Sequence, residues 1–180
     1  MKPAIDRITE FLGRHQRKEL NNPALKQAAV LILLFPKEGS LHLLLTKRTD
    51  HVEHHKGQIS FPGGARDDQD ADLVATALRE TEEEIGLPPG AVQVLGLFDD
   101  FETPSGFAIA PVVGFVPSLP ALSPSLHEVA EIIEVPLALF LDKKNERTVR
   151  MERKGKTHDV FFYDYNGHEV WGATAAMIRG

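Results

Sequence analysis

The run Arg79-Glu80-Thr81-Glu82-Glu83-Glu84-Ile85-Gly86, with Pro88 and Pro89 just beyond it, constrains this chain more than any other stretch. Across residues 71–85 apolar side chains recur at helical spacing, with Val74, Ala77, Leu78, Thr81 and Ile85 on one stripe. Asp70 or Asp72 can cap the start, and Gly86 followed by the prolines stops the helix. On that helix Glu80, Glu83 and Glu84 stand at i, i+3 and i+4, so three carboxylates share one face. The face lies beside the apolar stripe, which places the acids at the rim of the packed core. Like charges at this spacing destabilise a bare helix by roughly a few tenths of a kcal/mol per pair. A hard cation, matched to oxygen ligands, reverses that penalty. Arg79 reaches Glu83 at i+4 and can orient one carboxylate. A solvated acidic face is the plain alternative for such a cluster. Upstream, Pro62 stiffens the approach to Gly63 and Gly64, where a tight loop can turn backbone N–H groups toward an anionic ligand.

The rest of the chain frames this helix. Ile5, Ile8, Phe11 and Leu12 predict an N-terminal helix after Pro3, a packing extension within residues 1–25. Residues 28–35 and 41–46 read as two strands joined by Pro36-Lys37-Glu38-Gly39. Residues 51–64 read as a loop carrying one short extended piece, 58–61. Further strands are expected at 92–98, 109–116, 128–135, 148–152 and 159–165. A short helix is expected at 136–141 and an Ala-rich one after Trp171. Strands interspersed with helices predict an α/β chain, a mixed sheet covered by helices. At 180 residues the whole chain, 1–180, is expected to form one domain.

Composition narrows the chemistry. There is no cysteine, so thiolate metal sites and cysteine nucleophiles are excluded, and any metal must be held by oxygen or imidazole. The net charge of −6 argues against an electrostatic grip on nucleic acid, while a bound cation can still invert the local sign for a small phosphorylated substrate. The longest apolar stretch, 28–35, is too short to span a bilayer, so no membrane partner is expected and a cytoplasmic location is the default.

From Gly64 to Leu87 the chain resembles the Nudix box, a glycine loop leading into a helix that ends Arg-Glu-x-x-Glu-Glu-x-Gly plus an aliphatic residue. Arg79 through Leu87 matches that ending completely. Asp70 takes the place of the box's early glutamate, with one extra residue before Arg79. The resemblance implies the Nudix fold, an α/β/α sandwich with a mixed β-sheet. It also implies Mg²⁺ or Mn²⁺ bound by Glu80, Glu83 and Glu84, with Arg79, Glu83 and Glu84 in the catalytic group. Metal held by carboxylates suits diphosphate hydrolysis, as a Lewis acid and by lowering the pKa of water. Glu128, where the family often places a further acid, is the candidate fourth ligand or general base, with Glu131 and Glu134 as competitors.

A second signature lies upstream. Leu44-Leu45-Thr46-Lys47-Arg48, then Gly57-Gln58-Ile59-Ser60-Phe61-Pro62-Gly63-Gly64, and the ending Val170-Trp171-Gly172-Ala173-Thr174-Ala175 resemble the coenzyme A diphosphatase branch. That branch carries Ser or Ala where Thr49 stands and Arg where Glu53 stands. The resemblance implies coenzyme A or a derivative as substrate, cleaved to 3′,5′-ADP and phosphopantetheine. Lys47, Arg48, Gly63 and Gly64 are the candidate substrate-binding residues. His51, His54 and His55 read as loop polarity or substrate contacts, Phe61 as a buried aromatic, and Trp171 as core. Another diphosphate, such as a nucleotide sugar or dinucleotide, is the alternative substrate, and a non-catalytic nucleotide-binding module the alternative class. Monomer and homodimer both stay open.

Overall fold

A computed structural model describes residues 2–50, 57–153 and 155–179. In chain order it contains α1 (Lys2–Arg14), β1 (Lys26–Lys37), β2 (Ser40–Arg48), β3 (Ile59–Ser60), β4 (Gly63–Ala65), α2 (Leu73–Ile85), β5 (Gln93–Leu97), β6 (Phe101–Glu102) and β7 (Phe107–Phe115). Then follow β8 (Val129–Pro136), α3 (Leu137–Leu141), β9 (Glu146–Arg153), β10 (Lys156–Tyr165), β11 (His168–Trp171) and α4 (Gly172–Arg179).

β1 is the spine. It pairs antiparallel with β2 across a tight turn in which Glu38 and Gly39 both take positive φ, and parallel with β7 along its other edge. The combination makes a mixed sheet, in the order β3-β2-β1-β7-β5, with β4 added to β1, β6 to β7 and β8 to β2. Alternation along β1 divides its side chains between two cores. Ala29, Leu31, Leu33 and Phe35 meet Ala77 and Ile85 of α2 on one face. Val30 and Leu34 turn to the other face, toward Ile5 and Leu12 of α1, Phe140 of α3, Tyr163 and Val170 of the β11-β10-β9 sheet, and Ala175 of α4. This is the expected α/β/α layering, with a small antiparallel sheet included in one helical layer. Leu31, Leu33 and Leu44 are fully buried, and truncating any one to Ala should cost about 2–5 kcal/mol.

Three local expectations need correction. The glycine loop is a strand: Gly63 and Gly64 pair with Val30 and Ala29. A Cβ on Gly63, whose φ is +149°, would meet Val30 Cα at 2.6 Å, so glycine is what permits this close strand contact. Residues 168–171 form β11, closing a hairpin through Asn166 and Gly167 that short length concealed. Trp171 is not core; it is 39% exposed and stacks on Phe162. Phe61, by contrast, is buried as expected. No helix among the described residues is long and apolar enough to cross a membrane.

Candidate active site

Both ends of α2 are fastened by specific contacts. At its start Asp72 is the N-cap, accepting from Ala75 N at 2.8 Å. Asp70 does different work. It is buried, accepts from Asp67 N and Thr76 Oγ1 at 2.9 Å each, and receives two hydrogen bonds from the Arg79 guanidinium. Arg79 foremost, with the Asp67 and Thr76 donors, holds the Asp70 carboxyl well below the usual carboxylate range, against its desolvation. At the far end Gly86 adopts the left-handed conformation and donates to Glu82 O at 2.8 Å. The last two helical carbonyls are taken from outside: Ser125 N donates to Glu84 O at 2.8 Å and Ser123 N to Ile85 O at 2.9 Å.

Anchored in this way, Arg79 reaches the acids. Its Nη1 donates to Glu80 Oε1 at 2.8 Å and Glu83 Oε2 at 3.2 Å, and its Nη2 to Ala65 O at 3.2 Å. The three glutamates are graded in burial rather than lined along a rim. The Glu83 side chain is 58% exposed, Glu80 19% and Glu84 4%. β4 produces this gradient. Gly63 N donates to Glu84 Oε2 at 3.4 Å, and the Glu80 carboxylate fills the space where a Gly64 Cβ would stand.

Burial pushes the Glu84 carboxyl up to about 8. Arg48 and the Gly63 N–H pull in the opposite direction, while the charges on Glu80 and Glu128 add to the rise. Glu80 is raised as well, by desolvation first, with Arg79 opposing and Glu83 and Glu128 reinforcing. The cation facing Glu84 is held loosely: Arg48 Nη1 stands 3.6 Å from Oε1, and Arg48 Nε is buried without a hydrogen-bond partner. Clustered carboxylates that raise one another are short of positive charge, and their oxygens suit a hard divalent cation. Among the described residues no three carboxylate or imidazole groups converge into a ready coordination cage. Glu80 and Glu83 are turned onto Arg79 instead.

Glu128 directly precedes β8, its side chain exposed and its charge felt at both Glu80 and Glu84. Glu131 and Glu134 lie elsewhere, paired with His168 at 3.2 Å and Lys37 at 2.7 Å. Lys47 is not brought into the group. It pairs with Ile59, whose side chain packs in the core opposite α2, so Lys47 and Arg48 face different sides of the sheet. His51, Glu53, His54, His55 and Lys56 lie outside the described residues. Thr49, Ser123 and Ser125 went unrecognised as site-building residues. The signal at Ser123 and Ser125 is small residues in turn-like sequence, and at Thr49 it is the departure from Ser or Ala.

Comparison with known proteins agrees with this architecture. The NUDIX domain model matches residues 25–147. Relatives described as "Uncharacterized Nudix hydrolase NudL", from Escherichia coli and Shigella boydii strains, are 41% identical over 178 residues, covering 96% of this chain and 91% of theirs. Among solved structures, a Nudix hydrolase from M. smegmatis, RenU, superposes with a TM-score of 0.55 at 24% identity, covering 70% of this chain and 81% of that one. A C. elegans Ap4A hydrolase binary complex gives 0.53 at 18%, covering 63% and 82%. The NUDIX domain of Shewanella oneidensis NrtR complexed with ADP ribose gives 0.51 at 24%, covering 73% and 84%. These structural likenesses carry the fold. The chain belongs to the Nudix family, and it is a Nudix hydrolase.

Proposed function

We propose that this hydrolase cleaves the diphosphate bond of a nucleoside diphosphate linked to another group, with coenzyme A or a derivative as the leading substrate. The observation that carries the reading is the buried Glu84, flanked by the charges of Glu80 and Glu128 and faced by one loosely held Arg48. Glu80, Glu83 and Glu84 would hold Mg²⁺ or Mn²⁺, which would neutralise charge on the diphosphate and make the attacking water more acidic. Arg79, fixed by Asp70, orients Glu80 and Glu83. Glu128 takes the proton from the water as it attacks one phosphorus, the bridging P–O bond breaks and the other phosphate leaves as an anion. Arg48, with hydrogen-bonding capacity unused at Nε, holds a phosphate oxygen of the substrate. Gly64 leaves the room that the Glu80 carboxylate fills and Gly63 the room for β4 to lie against β1, and both remain candidate substrate-binding residues. The whole of 1–180 acts as one unit in this reading.

The coenzyme A assignment is supported by the two branch signatures, residues 44–64 and 170–175. Glu53 favours the second reading, a nucleotide sugar or dinucleotide, because it puts a negative charge where the branch carries arginine. A panel of coenzyme A, dephospho-coenzyme A, ADP-ribose and diadenosine polyphosphates, assayed with Mg²⁺ and with Mn²⁺, separates the two. Release of 3′,5′-ADP and phosphopantetheine, identified by mass, supports coenzyme A; cleavage confined to the others supports the second reading.

A further inference from the structure

Thr49 follows Arg48 at the end of β2, and in the sequence it stands out only as a departure from Ser or Ala. In the fold it is 7% exposed, and both of its donors are used on one target. Thr49 Oγ1 donates to His127 O at 2.7 Å, and Thr49 N donates to Glu128 O at 2.9 Å. These are consecutive carbonyls, the second belonging to the candidate base itself.

The segment they hold is fastened at its other end to α2. Ser123 N and Ser125 N donate to the carbonyls of Ile85 and Glu84, and Ser125 O in turn accepts from Glu128 N at 3.0 Å and Val129 N at 2.8 Å. A hydrogen-bonded path therefore runs from the Glu84 backbone through Ser125 to Glu128, and from Glu128 to Thr49 beside Arg48. The segment is a brace between the helix end that carries Glu84 and the strand end that carries Arg48. Ser123 also packs within 3.1 Å of where a Gly86 Cβ would stand, so the brace sits flush on the helix terminus. Glu128 has an exposed side chain on this brace, so the backbone must set its position. The hydroxyl is the side-chain group of Thr49 that serves this attachment.

We propose that Thr49 is a positioning residue for Glu128, its hydroxyl fixing the distance between that carboxylate and the Glu80–Glu84 group. The proposal rests on Glu128 acting as the base. Of the two residues the branch carries at this position, serine supplies the same donor and alanine does not.

The test is a double-mutant cycle in the intact protein, with kcat and KM measured on whichever panel substrate is cleaved. Thr49→Val keeps the shape and removes the donor. It should lower kcat by roughly 10- to 100-fold, the scale of loss for an ångström-level misplacement, with KM changed by less than about twofold. Thr49→Ser should restore kcat to within about threefold of wild type. On a Glu128→Gln background, Thr49→Val should change kcat by less than about twofold, because the group it positions is already gone. Native kcat in Thr49→Val, failed rescue by serine, or losses that multiply across the cycle would each overturn the proposal. Native kcat in Glu128→Gln would overturn it too, and in that case the reading of Glu128 as base has failed, whatever Thr49 does. Should the valine variant not fold, Thr49→Ala removes the same donor without a second branch at Cβ.

Discussion

Arg79 and Asp70 are joined by two parallel hydrogen bonds, Nε to Oδ1 at 2.9 Å and Nη2 to Oδ2 at 3.0 Å, across nine residues of sequence. The fork geometry fixes the guanidinium plane, and the remaining donors are thereby aimed at Glu80, Glu83 and Ala65. Asp70 is thus part of the site's framework, whereas Asp72, two residues on, serves only the helix start.

That difference is measurable. Asp70→Asn should destabilise the protein by about 1–3 kcal/mol, because a buried charged hydrogen-bond acceptor is lost while Arg79 stays. It should also lower kcat, since Glu80 and Glu83 lose their fixed partner. Asp72→Ala should cost about 1 kcal/mol, the ordinary worth of an N-cap, and leave kcat unchanged. Urea unfolding and turnover of both variants provide the comparison. Equal effects on kcat would remove Asp70 from the site.

Glu84 should make the metal-free protein sensitive to alkaline pH. Its folded-state value is raised from the usual 4.5 to about 8, so the fold favours the protonated form. The resulting stability is fully present below about 4.5 and is lost as pH rises through about 8. Glu84→Gln removes the titration. The thermal midpoint of the variant, taken relative to wild type without metal, should therefore climb between pH 5 and pH 8.5, while turnover is abolished at every pH. A constant difference across that range would show that Glu84 is not held protonated by its surroundings.

Much of this was legible in the sequence, for identifiable reasons. α2 was readable because a helical stripe, an N-terminal aspartate and Gly86 all agree, and the acids at i, i+3 and i+4 follow from helix geometry alone. Periodicity could not reveal that β4 would lie over Glu84 and withdraw it from solvent, because the contact joins residues 21 apart through a sheet. The separation of Lys47 from Arg48 follows from strand alternation once the register of β2 is known, and register is a tertiary property. Ser123 and Ser125 act through their backbone N–H groups and Thr49 through its N–H and hydroxyl, all on backbone carbonyls that leave no pattern in side-chain chemistry.

Substrate choice has its own test at Glu53. Coenzyme A carries a 3′-phosphate that dephospho-coenzyme A lacks. If residue 53 lies several ångströms from that phosphate, reversing its charge is worth on the order of 1–4 kcal/mol at an effective dielectric near 20, before salt screening. Glu53→Arg should raise kcat/KM for coenzyme A by roughly fivefold or more relative to dephospho-coenzyme A. An equal change for both substrates would mean that position 53 does not read the 3′-phosphate.

The central claim is that the α2 glutamates hold the metal that makes diphosphate cleavage possible. The most direct measurement is Mn²⁺ binding by calorimetry together with the metal-dependent shift in thermal midpoint, compared between wild type and a Glu80→Gln, Glu84→Gln double variant. A ligand that binds only the folded state raises stability by mass action. Wild type should bind Mn²⁺ and melt higher in its presence, and the folded double variant should lose both the binding and the shift. Identical Mn²⁺ affinity and identical shifts in the two proteins would contradict the account and place the metal elsewhere.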